Sequence, residues 1–98
     1  MTFAQSKKFH WLGKEFDAVK VELYSAKLLL IKGKKGFLGC GYLSVETAEK
    51  LGDALAIVRG VDSYEGMLKA KIVSVSAKAK ELGVSEGMNG SEALEKFA

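Results

Sequence analysis

Hydrophobic and polar positions alternate over residues 15–24, with Val19, Val21 and Leu23 on one side and Lys20, Glu22 and Tyr24 on the other. A two-residue period is that of a β-strand. Residues 7–12 predict a short strand before it, joined through a turn at Gly13-Lys14, and residues 27–32 predict a strand after it. The segment Gly33-Lys34-Lys35-Gly36 has the length and the glycines of a hairpin connection. Residues 37–43 then predict the returning strand.

From residue 44 the spacing turns helical. Ser44 is placed to cap a helix that buries Val45, Ala48 and Leu51 and stops at Gly52. The solid apolar run 54–58 has the length and β-branched content of a central strand. Asp62-Ser63-Tyr64-Glu65 opens a second short helix burying Tyr64, Met67 and Leu68. Residues 72–75 predict a strand and 76–82 a helix, with Val75, Ala79 and Leu82 a turn apart and Gly83 as the stop. Asn89-Gly90-Ser91-Glu92 repeats the capping signal before a last helix carrying Ala93, Leu94 and Phe97. The expected fold is α+β: a mainly antiparallel N-terminal sheet followed by short helices packed on a sheet. Residues 1–98 read as one domain, with 1–43 β-rich and 44–98 an α/β portion.

The strand 27–32 breaks the alternation. Leu28 and Leu30 project to one side, Leu29 and Ile31 to the other. An antiparallel sheet with one wet face does not read this way. The short helices roof one face. On the other, each exposed Leu or Ile forgoes about 1.5–3 kcal/mol of burial. A contiguous apolar patch marks a contact site, and a symmetric copy of the same chain is its simplest cover. The pattern therefore predicts a homo-oligomer, with Leu28, Leu29, Leu30, Ile31 and Trp11 as interface candidates. The alternative is that Phe3, Phe9 and Trp11 fold back over that face within one chain.

Composition narrows the function classes. At 48% hydrophobic and 28% charged residues the chain is of globular type, which excludes disorder. No apolar run approaches the about 20 residues of a membrane span. Residues 1–8 hold no apolar signal segment, so the expected location is the cytoplasm. The single cysteine, Cys40, excludes an internal disulfide and a multi-cysteine metal site. Charge is uneven: residues 1–43 sum to +5 and residues 44–98 to −2. Lysine supplies it, Arg59 being the lone arginine. Lys32, Lys34 and Lys35 ring the hairpin tip, and no aromatic and arginine interleaving accompanies them, so a nucleic-acid partner is disfavoured.

Candidate chemistry is sparse. Gly39 and Gly41 share one side of the strand 37–43, a pattern that signals close approach of a backbone, a helix or a ligand. Cys40 between them is the weak candidate nucleophile of an enzyme or small-ligand site. A catalytic thiol needs a base, and the one histidine, His10, lies thirty positions upstream with no spacing that joins the two. The competing reading is a small buried core thiol. Gly87, Asn89 and Gly90 form a turn before a helix, either an anion cradle or an ordinary cap closed by Glu92. No ligand spacing for a metal and no cofactor motif occurs.

Three blocks carry a resemblance. Gly36-Phe37-Leu38-Gly39-Cys40-Gly41-Tyr42-Leu43, the block from Gly60 to Ala70 (GVDSYEGMLKA) and the block from Ala79 to Leu94 resemble, in order and spacing, the YunC-like domain-of-unknown-function family of bacteria and archaea. The resemblance implies an α+β domain whose N-terminal β portion mediates tetramer formation. It implies no known activity. Residues 1–25 carry no part of it.

Overall fold

The computed structural model describes residues 3–98. The elements are β1 (Ala4–Trp11), β2 (Lys14–Glu22), β3 (Lys27–Lys32), β4 (Phe37–Gly39), α1 (Val45–Leu51), β5 (Leu55–Ile57), α2 (Tyr64–Lys69), β6 (Ser74–Val75), α3 (Ala77–Glu81) and α4 (Gly90–Phe97). The strands make one six-stranded sheet in chain order. The sheet is mixed, not purely antiparallel: β4 and β5 pair in parallel, the other neighbours antiparallel. The cause is α1. A helix between two neighbouring strands carries the chain back to the starting edge, so the second strand enters in the same direction as the first.

β1 and β2 close on a two-residue turn at Leu12-Gly13, one position before the expected turn, with Trp11 opposite Lys14. Both turn residues have positive φ, 51° and 75°, as a type I′ hairpin turn requires. β4 stops at Gly39, so the expected strand 37–43 is only three residues long, and residues 40–43 turn toward α1.

The core lies on one face of the sheet. Ala18, Ile31, Leu38, Ala56 and Val75 stand in register across β2 to β6, and all are buried. Met67, Leu68, Ala79, Ala93, Leu94 and Phe97 from α2, α3 and α4 close over them. On the opposite face α1 sets Ala48 against Leu55 and Ile57, with Phe37, Leu43 and Val45 at the margin. The second face is thus covered over β4 and β5, which the sequence reading did not provide for. Over β1 to β3 it keeps Val19, Val21 and Leu30 half-buried, while the half-buried Leu28 also packs against the main core. Phe9 and Trp11 pack against the main core and not on this bare half.

Leu51, expected on the buried side of α1, is 69% exposed. Leu51 is the last residue of α1, just before the Gly52 stop, and lies about 60° around the helix from Ala48 on the side away from Val45. Serine oxygens cap three helices: Ser44, Ser63 and Ser76 accept from the N–H of Thr47, Gly66 and Ala79. Ser76 does more. Fully buried, its hydroxyl also accepts from the N–H of Leu55 at 2.9 Å and donates to the carbonyl of Asp53 at 2.8 Å. It ties the cap of α3 to the start of β5.

Candidate functional site

The chain leaves β4 for α1 on one face of the sheet and leaves β5 for α2 on the other. Two parallel strands whose following segments diverge in this way open a crevice beyond their carboxyl ends, the place where α/β sheets bind ligands. A cleft of about 290 Å³ lies there, bordered by Cys40, Gly41 and Tyr42 after β4 and by Gly60 and Val61 after β5. Ala26 and Lys27, at the entry to β3, form its third wall.

Cys40 is 4% exposed, and its thiol is held on both sides. Its Sγ accepts from the N–H of Leu29 at 3.4 Å and faces the carbonyl of Lys27 at 3.9 Å, while its own N–H donates to the carbonyl of Leu29 at 3.1 Å. The side chain extends the β3–β4 pairing one rung past the end of the strand. His10 is exposed elsewhere, its Nε2 3.4 Å from Glu15 Oε2. In register, Gln5 lines up through Lys20 with Leu29, the partner of Cys40. His10 stands five residues from Gln5, about 17 Å along β1. The structure does not bring the thiol and the imidazole together.

Gly39 is buried, and a Cβ there would collide with the side chain of Leu43, so this chain itself fills the bare strand position. Gly41 is exposed on the cleft, and a Cβ there would touch Arg59 Cγ at 3.6 Å. At the 87–90 turn the donors are engaged. Gly87 N–H reaches Ile72, Met88 N–H Ser85 and Gly90 N–H Ala70, while Asn89 N–H donates to the Glu92 carboxylate at 3.1 Å. Of the interface candidates, Leu29 and Ile31 are wholly inside the core, a correction, because odd-numbered positions of β3 face the helices. Leu28 and Leu30 stay half-buried, and Trp11 packs on the core with its indole N–H unpartnered among the described residues.

The cleft residues that sequence reading missed are Ala26, Lys27, Tyr42, Gly60 and Val61, with Arg59 beside Gly41. The signal was present: the lone arginine and a glycine follow directly on the apolar run of β5. Among the described residues neither Lys27 nor Arg59 joins an ion pair. Ion pairing is concentrated on the β1–β2 ribbon, where Lys8 Nζ lies 2.7 Å from Asp17 and 3.8 Å from Glu15. Hydrogen bonding and charge hold Asp17 below the usual carboxylate range and Lys8 above the usual lysine range. Partial burial raises the Tyr64 phenol, and Lys7 Nζ lies 5.1 Å from the centre of its ring. No group of three His, Cys, Asp or Glu side chains able to hold a metal occurs among the described residues. No helix among them is long and apolar enough to cross a membrane.

A mixed six-stranded sheet with one parallel pair, a crossover helix and a glycine-flanked cleft at the parallel ends defines an α+β domain of a recognised type. The family described as "Domain of unknown function (DUF1805)" matches residues 39–97, and the chain belongs to it. Among relatives, it is 33% identical over 89 residues to the uncharacterized protein YunC of Bacillus subtilis (strain 168), covering 87% of this chain and 88% of that one. It is also similar to the crystal structure of a protein of unknown function, TA1206, from Thermoplasma acidophilum. There the TM-score is 0.92 and the identity 37%, over 97% of this chain and 93% of that one.

Proposed function

We propose that this chain is a cytoplasmic homo-oligomeric assembly and binding module, a tetramer built through the β1–β3 half of its sheet. One observation carries this: the second face of the sheet is covered by α1 over β4–β5 and left half-buried at Val19, Val21 and Leu30. The open edge supports it. The Glu22 N–H donates to the Phe3 carbonyl, so odd residues of β1 bond to β2. The backbone groups of Ala4, Ser6, Lys8 and His10 therefore face outward along an eight-residue strand without proline. Such an edge is a template for another strand. A reduced, buried Cys40 fits a cytoplasmic setting.

Light scattering at micromolar concentration tests the proposal. Four times the 10.6 kDa chain mass is expected. The double variant Val19→Lys, Leu30→Lys, at a cross-strand pair of that face, is expected to shift the particle to a folded monomer with unchanged circular dichroism. A wild-type chain that scatters only as a monomer overturns the proposal.

The cleft favours a second reading, a small-ligand site shared with no catalytic pair. Its position at diverging parallel strand ends is the supporting observation. Chemical-shift changes at the Gly41, Gly60 and Val61 amides on screening mixed small molecules are its test, and their absence is its failure.

A further inference from the structure

We propose that the cleft beyond β4 and β5 takes a small organic carboxylate with an apolar body, its charge held at the rim by Arg59 and Lys27. This rests on the reading of the cleft as a ligand site and goes further by naming the ligand chemistry. The first observation is the lining. Ala26, Val61, Tyr42 and Cys40 give a mainly apolar lining, and no carboxylate residue borders it. The volume of about 290 Å³ sits at the low end of small-molecule sites, room for one ring or a short branched chain.

The second observation is the charge. Lys27 lines the cleft, and the stem of Arg59 runs past Gly41 at its mouth. Neither cation pairs with an acid among the described residues. Glu22 stands opposite Lys27 in the β2–β3 register, and Asp62 follows Val61 in the chain. Neither borders the cleft. A planar guanidinium suits a carboxylate in two parallel hydrogen bonds.

The third observation is the backbone. The N–H groups of Gly41, Tyr42, Gly60 and Val61 donate to no acceptor among the described residues. Donors without acceptors, two free cations and apolar walls select an anion that brings a greasy body with it. A bare inorganic anion leaves the walls unfilled. The thiol plays no covalent part, because both of its hydrogen-bonding directions are taken by β3.

The test titrates the full ¹⁵N-labelled chain with sodium benzoate, with benzamide and with inorganic phosphate, at matched ionic strength. Benzoate is expected to move the Gly41, Gly60 and Val61 amides along a saturating curve while benzamide and phosphate leave them in place. Arg59→Gln is expected to weaken benzoate about tenfold, the loss of one charge-assisted contact. Arg59 is exposed, so the variant keeps its fold. Equal responses to benzamide and benzoate overturn the charge assignment and leave the cleft reading standing. An equal response to phosphate overturns the apolar-body requirement. Silence to all three overturns the carboxylate inference, and the cleft reading then stands or falls on the wider small-molecule screen.

Discussion

Replacing Ser76 by alanine tests how the fold holds the strand that carries half of the cleft. Three groups depend on that hydroxyl: the Leu55 and Ala79 amides and the Asp53 carbonyl. Loss of the α3 cap costs about 1 kcal/mol. Leaving the Leu55 amide without a partner costs a further 1–3 kcal/mol, roughly, because Leu55 is 2% exposed and water does not reach it. The Asp53 carbonyl belongs to an exposed residue and rehydrates at little cost. The sum is about 2–4 kcal/mol, a fall in Tm of about 10–25 °C for a domain of this length. Ser44→Ala is the internal control. Ser44 caps α1 in an exposed position and touches nothing else, so it loses only the cap. Calorimetry of both variants is run at one protein concentration, since self-association shifts apparent stability. The reasoning fails if the two variants lose the same Tm, because the buried amide would then add nothing.

Leu12 sits at φ 51° in the hairpin turn and is 63% exposed. Leu12→Asn, which tolerates that backbone region and gives up little burial, is expected to add about 0.5–1 kcal/mol, read as a rise in Tm. The Lys8–Asp17 pair predicts a pH window. Asp17 is depressed, so its contribution is present above the usual carboxylate pKa and is lost as acid reaches its lowered one. Lys8 is raised, so its contribution is lost only in strong base. The Tm difference between wild type and Lys8→Met is therefore expected at neutral pH and to vanish near pH about 2, and a difference that persists there refutes the pairing. Cys40, buried and held by β3, is expected to react with a disulfide reagent far more slowly in the native protein than in urea. Equal rates would show an accessible thiol.

The helices were legible because their signals are local. Ser44 and Asn89 stand where capping chemistry placed them, Ser63 takes the cap one position after the expected Asp62, and Ala93, Leu94 and Phe97 are buried at the expected spacing. The hairpins were legible from glycine and alternation. The parallel β4–β5 pair was not read, although α1 between two apolar segments contains it, because strand direction depends on where a helix returns the chain. The two faces of β3 were read correctly as apolar, but which face joins the core depends on α2 and α4, distant in sequence. At the site, Cys40 and Gly41 drew attention by composition. Lys27, Arg59 and Tyr42 did not, because their roles come from three loops meeting beyond the strand ends.

Each strand lies beside the one before it in the chain, from β1 to β6. Folding can therefore zip forward from local hairpins with little searching, a topology that favours speed. α4 is the exception. The Lys35 amide bonds to the Phe97 carbonyl, and a Cβ on Gly33 or Gly36 would strike that same residue, so the last helix clasps a hairpin some sixty positions upstream. That clasp closes a loop of roughly sixty residues, and a fluorophore near Phe97 should report it after the sheet has already formed.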